Sequence, residues 1–290
     1  HMTGIAGPIG AAVAAGRLLH LNHQQLQAAV GLAATQSAGV LESLGAMAKS
    51  LQPGKAAAGG FEAAVLAAQG LDGPAAPIEG RRGLLALHAG SVDGAASALG
   101  GLGERWELER NEIKPYACGV VGHSVVDIAR AAGGQAANQQ LPRAVRLRVH
   151  PFVLVAMGRT APQDSLEAKF SVTHCFAVGY LRGAAGPAQF RDDVVHAPDV
   201  VALRERCELI GDPAMPRYGA RAEITDADGQ TRHEQQDHPA RLDSHRVRRK
   251  AITVTEPILG DRAEAFAALA FDLASVGAMR DLMAAGAPTA

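Results

Sequence analysis

From Ile5 to about Leu99, alanine, leucine and valine recur at the spacing of helices while large rings are almost absent, and this constrains the fold most. Aromatic residues make up 4% of the chain, and 33 of its 290 residues are glycine. Helices built this way present small side chains and must approach closely to bury apolar surface. Asn22, Gln52-Pro53-Gly54 and Asp72-Gly73-Pro74 interrupt the pattern, which predicts four or five short helices in one all-α bundle.

The composition changes at Gly100-Gly101-Leu102-Gly103, and a domain boundary is expected there. Beyond it, Trp106 to Glu109 alternates like a strand, 119–132 reads as a helix, and 144–157 alternates and then runs apolar as a buried strand. Residues 164–182 read as a helix with Ser165 near its cap. Arg206 to Ile210 and Ala220 to Thr225 read as strands, and Asp226-Ala227-Asp228-Gly229 is a turn leading into a polar edge strand. The most linker-like stretch is Thr231 to Arg249. Ala263 to Leu273 returns to the apolar helical pattern, which needs an apolar surface to cover it. The expected fold class is α+β multidomain: an all-α helical domain over 3–103, completed by 255–290, and a smaller α+β domain over 104–250.

With 28 Lys and Arg against 29 Asp and Glu, the net charge of −1 lacks the basic footprint of a general nucleic-acid binder. There is no uncharged apolar run of membrane-spanning length and no leader pattern, so neither nucleic acid nor membrane is an expected partner and the cytoplasm is the expected location. His1-Met2 before Thr3-Gly4 reads as an added start on an internal position, with the natural protein beginning earlier. Cys118, Cys175 and Cys207 are odd in number and far apart, which predicts free thiols. Cys118 and His123 lack a second pair of ligands, so no metal is expected. The sequence contains no G-x-S-x-G elbow, no phosphate loop and no G-x-G-x-x-G between a strand and a helix.

Four of the five lysines fall in three short segments: Ala48-Lys49-Ser50-Leu51-Gln52-Pro53-Gly54-Lys55, Lys114-Pro115-Tyr116-Ala117-Cys118 through His123, and Glu167-Ala168-Lys169-Phe170-Ser171-Val172-Thr173-His174. The chain otherwise carries its positive charge on arginine, so this concentration points to compact ammonium groups chosen for position, a type that suits carboxylate substrates. His123 is expected near a helix start after Gly119 and Gly122, where a ligand can approach the backbone, and an imidazole titrating near neutrality is a fit acid/base group. Asp127, four residues on, can share that helical face and orient the ring. The basic run Arg241 to Lys250 reads as a solvated face. His20, His23, His88 and His150 read as structural or exposed.

These three segments, with Thr3-Gly4-Ile5-Ala6-Gly7-Pro8-Ile9-Gly10-Ala11-Ala12, resemble in order the MmgE/PrpD family. Its members include 2-methylcitrate dehydratase, cis-aconitate decarboxylase and iminodisuccinate epimerase. The resemblance covers nearly the whole chain and about the last two-thirds of a member, whose first part contributes an aspartate and histidines upstream of Thr3. It implies a homodimer with the active site between two domains, no metal or organic cofactor, and a lyase acting on a small di- or tricarboxylate by proton transfer next to a carboxylate. The reaction expected is most like that of 2-methylcitrate dehydratase in propionate metabolism, with cis-aconitate decarboxylation the nearest variant. The alternatives are an epimerase of an amino-dicarboxylate such as iminodisuccinate, and a truncated, inactive member.

The resemblance carries the family's active-site lysine to Lys49, expected in a helix-breaking loop, and makes His123 and Lys49 the catalytic pair. Gln52 stands where several relatives carry histidine, and Lys55 is expected at the start of the next helix. With these, Lys114, Tyr116, Lys169, Ser171 and His174 are the candidate substrate-binding residues, His174 matching a position often held by an aromatic hydrogen-bonding residue. Cys118 reads as buried and inert.

Overall fold

The computed structural model describes residues 1–134 and 141–287. Helices and a four-stranded mixed sheet make up the chain, which divides into two compact units, His1–Arg110 and Asn111–Ala290.

The first unit contains α1 (Met2–Leu18), α2 (His23–Thr35), α3 (Ala48–Ala68), α4 (Leu84–Ala89) and α5 (Ala95–Ala98). Its buried core is built from alanine: Ala12, Ala29, Ala33, Ala63, Ala64 and Ala67. A methyl group buries little surface, so such a core depends on helices that nearly touch. They do: a Cβ placed on Gly60 of α3 would lie 2.3 Å from the Pro8 carbonyl oxygen of α1. Asn22 starts α2 with a capping box, its Oδ1 accepting from the Gln25 amide at 2.9 Å while Gln25 Oε1 accepts from the Asn22 amide at 3.1 Å.

The chain does turn at Asp72-Gly73-Pro74, but α3 runs straight through the expected break at Gln52-Pro53-Gly54. Pro53 deletes one helical bond, that to the Lys49 carbonyl, and it is exposed, so water takes the place of the missing donor. The interruption falls instead between α2 and α3, where Gly45 adopts φ 86°. The strand expected at Trp106 to Glu109 is also absent. Glu107–Arg110 is a single 3₁₀ turn in which Glu107 pairs with Arg105 at 2.9 Å and Arg110 at 3.1 Å.

In the second unit α6 (His123–Gly134) precedes β1 (Ala144–Val149), α7 (Pro151–Met157), α8 (Ser165–Ala168), α9 (Val172–Arg182), α10 (Asp192–Val195) and α11 (Pro198–Arg204). There follow β2 (Cys207–Gly211), β3 (Ala220–Thr225), β4 (Thr231–Gln236), α12 (Ser244–Leu259), α13 (Ala263–Phe271) and α14 (Met279–Ala285). The sheet order is β2-β1-β3-β4, with β1 parallel to β2 and antiparallel to β3. Alternation along β1 buries Val145, Leu147 and Val149 and turns Arg146 and Arg148 outward, where they meet Glu208 of β2 at 2.9 Å and Glu223 of β3 at 3.5 Å. The turn from β3 to β4 is built as the sequence predicts: Asp226 Oδ1 accepts from the amides of Asp228 and Gln230, and Gly229 takes φ 85°.

The strand expected over 144–157 stops at Val149 because Pro151 is pre-set for the first position of a helix and His150 Nδ1 accepts from the Phe152 amide at 3.1 Å. The apolar run after it therefore buries Val153 and Met157, four residues apart, as one helical face. The helix expected over 164–182 is two helices, α8 capped by Asp164 and α9 capped by Ser171. The linker-like stretch 231–249 holds β4 and the start of α12, which Asp243 caps through the Arg246 amide at 2.8 Å.

Helices α6 and α9 cross at glycine: a Cβ on Gly133 would lie 2.1 Å from the Tyr180 carbonyl oxygen, and one on Gly179 would lie 2.9 Å from Ala129 Cβ. This crossing fixes α6, and with it His123, against the segment that carries Ser171 and His174. Among the described residues no helix is long and apolar enough to cross a membrane.

Candidate active site

Residues 114–122 approach α6 as a strap that bends over 115–118 and ends in one 3₁₀ turn, and burial alternates along it, with Tyr116 and Cys118 turned into the core. The expectation that Gly119 and Gly122 admit a ligand to the backbone meets a different occupant. The buried side chain of Met157 is there, 2.5 Å from where a Cβ on Gly119 would stand and 2.8 Å from one on Gly122. The glycines let α7 close against the strap.

His123 opens α6 and is fully buried, at 0% exposure. Its Nε2 lies 3.4 Å from the Cys118 carbonyl oxygen, and the Lys114 ammonium donates to the same oxygen at 3.3 Å. A carbonyl only accepts, so the neutral ring carries its hydrogen on Nε2 and leaves the lone pair on Nδ1. That Nδ1 is buried with no hydrogen-bond partner among the described residues. An orphaned buried nitrogen has a desolvation cost, and such costs are tolerated where the atom has work to do.

Asp127 does not orient the imidazole directly. Its Oδ1 accepts a short hydrogen bond from the Tyr116 hydroxyl, and its Oδ2 accepts from the Ala240 amide at 2.8 Å. Arg130 completes this network by donating to the Tyr116 oxygen at 2.9 Å. The Tyr116 ring in turn stands edge-on to His123, with centroids 5.3 Å apart and planes at 77°. Burial and the Asp127 carboxylate push the Tyr116 phenol up to about 12, so it is a held hydrogen-bond donor at neutral pH.

The thiol of Cys118 is buried, as its sequence context suggests. Its neighbour Cys175 draws it below the usual thiol range, assisted by His123 and Lys114 against the opposing effect of burial, while Cys175 is pushed up. Cys175 comes from α9, and only the fold brings it here.

The third lysine segment is tied to the strap by the Gly119 amide, which donates to the Lys169 carbonyl at 3.1 Å. Lys169 is half-buried at the end of α8. Ser171 is buried and caps α9, its Oγ accepting from the His174 amide at 3.1 Å. His174 is fully buried: its Nε2 donates to the Gln189 carbonyl at 3.0 Å, and an Arg204 guanidinium nitrogen lies 3.5 Å from its Nδ1. Burial, with the Arg204 charge, depresses the ring to about 4, outweighing the Gln189 bond.

Lys49, Gln52 and Lys55 lie on α3 in the first unit. Lys49 is half-buried in the first turn, and among the described residues its ammonium makes no hydrogen bond or ion pair. Gln52 reaches back across the preceding loop, donating to the Val40 carbonyl at 3.0 Å and, in a short bond, to Ser43 Oγ. Among the described residues its buried Oε1 has no hydrogen-bond partner. Lys55 is exposed within the helix, beyond the N-terminal turn where the sequence predicts it. The second unit thus brings Lys114 and His123 to the Cys118 carbonyl, with Tyr116 edge-on to the His123 ring and the segment of Lys169, Ser171 and His174 joined to the strap through Gly119. Arg130, Cys175 and Arg204 are participants that sequence reasoning missed. Among the described residues no group of three or more His, Cys, Asp or Glu is placed to hold a metal ion.

Comparison with known proteins gives two family matches in chain order: the model described as MmgE/PrpD N-terminal domain matches residues 1–96, and that described as MmgE/PrpD C-terminal domain matches residues 116–273. Among curated proteins, a cis-aconitate decarboxylase of Mus musculus is 24% identical over 223 residues, covering 74% of this chain and 45% of the relative. A cis-aconitate decarboxylase of Homo sapiens is 24% identical over 217 residues, covering 72% and 44%. The chain therefore spans less than half the length of these curated relatives.

Proposed function

The chain belongs to the MmgE/PrpD family, and on that premise we propose that it is a cofactor-independent lyase for a small di- or tricarboxylate, resembling 2-methylcitrate dehydratase or cis-aconitate decarboxylase. The two curated relatives named as cis-aconitate decarboxylases support this class of chemistry. The observation that carries it to particular atoms is the unpartnered Nδ1 of His123, beside an ammonium that converges on the same carbonyl.

In the dehydratase form, His123 takes a proton from the carbon next to a carboxylate while the electron pair moves into the carboxylate. The neighbouring C–O bond then breaks, and hydroxide leaves with a proton as water. In the decarboxylase form, the C–C bond to a carboxylate breaks, carbon dioxide leaves, and His123 returns a proton to the carbon. Both routes build negative charge on a carboxylate, and fixed ammonium groups lower that barrier. Lys49 is assigned to this charge. Lys114, Tyr116, Gln52, Lys55, Lys169, Ser171 and His174 are assigned to substrate binding, Tyr116 as a donor that stays protonated. The working form in this reading is a cytoplasmic homodimer with a helical domain over 3–103 and 255–290 and an α+β domain over 104–250.

One observation favours a second reading. His123 is sealed at 0% exposure, which suits a folded family member without turnover. The lyase reading therefore includes an opening of the strap before Gly122.

Incubation in deuterated buffer with cis-aconitate, 2-methylcitrate, citrate and iminodisuccinate, followed by NMR, separates the two. Olefinic signals that form or disappear, and that are lost in His123→Ala, are expected of the lyase. Exchange of C–H for C–D without any change in olefin would replace it with the epimerase. No change with any of the four acids, for a chain whose circular dichroism shows it folded, would overturn the lyase reading in favour of the inactive one.

A further inference from the structure

The fifth lysine, Lys250, lies outside the three segments, in the basic run that the sequence gives as a solvated face. It belongs to a helical stripe: Arg246, Arg249, Lys250, Thr253 and Val254 recur at helix spacing on α12 and line one side of a cavity of about 390 Å³. The opposite wall includes Pro115 and Ala117 of the strap together with Pro187. Tyr116 and Cys118 of the same strap are buried inward, so the strap separates this cavity from the His123 ring, one face to each.

The charge around the cavity is unbalanced. No Asp or Glu is among its lining residues. Among the described residues the Arg246 and Arg249 guanidinium groups have no hydrogen bond or ion pair. Lys250 donates its ammonium to the Lys114 carbonyl in a short bond, which brings a further lysine to the edge of the cluster. Nearby acids are already engaged: Glu112 pairs with Arg241 at 2.8 Å, and the Asp243 carboxylate caps α12. The first turn of α12 also contains no acidic residue, although cations there oppose the helix dipole. Burial and Lys114 lower the Lys250 ammonium from its ordinary value, as expected of cations held together without an anion.

We infer that this cavity binds a small organic phosphate monoester, with its phosphoryl head between Arg246, Arg249 and Lys250 and a compact apolar body against Pro115, Ala117 and Val254. Two guanidinium forks match phosphate oxygens, and a phosphate monoester brings nearly two negative charges where a carboxylate brings one. The volume is at the metabolite end of the range for ligand pockets and accepts a head with a short chain. The site is separate from the proposed reaction and stands whether or not the chain turns over a carboxylate.

Calorimetric titration of the full chain at low ionic strength tests it, using hexyl phosphate, inorganic phosphate, hexanoate and phosphatidic acid vesicles as probes. Saturable one-to-one binding of hexyl phosphate is expected, tighter than inorganic phosphate or hexanoate by at least about fivefold each. Arg246→Gln with Arg249→Gln should weaken it by at least about tenfold, and Val254→Asp by a similar factor, with circular dichroism unchanged since all three side chains are exposed. No saturable binding of hexyl phosphate would overturn the inference, as would wild-type affinity in the double variant or equal affinity for inorganic phosphate. Binding to phosphatidic acid vesicles without binding to hexyl phosphate would also overturn it, assigning the cluster to a lipid surface.

Discussion

His174 should make the second unit acid-labile by an amount that follows from its surroundings. The ring is fully buried, with its nitrogens facing the Gln189 carbonyl and Arg204, and it holds a proton only below about 4. In the unfolded chain it takes one at the ordinary value of 6.5. The unfolded state therefore binds the extra proton first, so the stabilisation is complete above pH 6.5 and is lost as the pH falls from 6.5 towards 4. Between pH 7.5 and pH 5 this amounts to about 2 kcal/mol from His174 alone. Urea unfolding at the two pH values, followed by tyrosine absorbance, isolates the effect because Tyr116, Tyr180 and Tyr218 all lie in the second unit. His174→Gln keeps a donor and an acceptor in place but cannot ionise, and the remaining histidines are common to both proteins. The variant should lose about 2 kcal/mol less on acidification than the parent. An equal loss in both would refute the reasoning, since the ring would then not be held neutral by its burial.

Four further outcomes are expected. Gly133→Ala forces a methyl group onto the backbone oxygen of Tyr180 and should lower stability by about 3 kcal/mol in urea unfolding, whereas Gly54→Ala, with open space around it in an exposed stretch of α3, should raise the thermal midpoint by the equivalent of about 0.5–1 kcal/mol. In an alkaline titration one phenolate should stay silent until near pH 12 and vanish from the count in Tyr116→Phe; its neutral form stabilises the fold below pH 10, and that contribution fades as the pH rises from 10 to 12. Ser171→Ala removes the cap of α9 and should cost about 1 kcal/mol, measured by the urea midpoint.

Local patterns were the legible part of this fold. The alternation of β1 and the Asp226 to Gly229 turn are set by neighbours in sequence, and both stand where the sequence predicts them. Where a local rule competed with context, context won: Pro53 reads as a breaker, yet its exposed position lets α3 continue. The apolar run after His150 has no period that separates strand from helix, and Pro151 with the His150 cap decided it. In the candidate site, His123, Lys114 and Tyr116 were legible as scarce residue types in one segment. Asp127 was legible as a neighbour of His123 on the helix, but its partner is Tyr116, because the path of the strap is set by tertiary packing. Gln189 and Arg204 reach the site from elements distant in sequence, and nothing local marks them, while Cys175 follows His174 directly but is brought to Cys118 only by the packing of α9.

The central place of β1 also has a kinetic side. Strands β3 and β4 need only a five-residue connection to pair, an event of microseconds. Pairing β1 with β2 instead requires closing a loop that carries α7 to α11, and parallel pairing across such a span is slow. Pulse-labelled hydrogen exchange during refolding should therefore protect the amides of β3 and β4 before those that join β1 to β2. The first strand to be synthesised is then among the last to find its place.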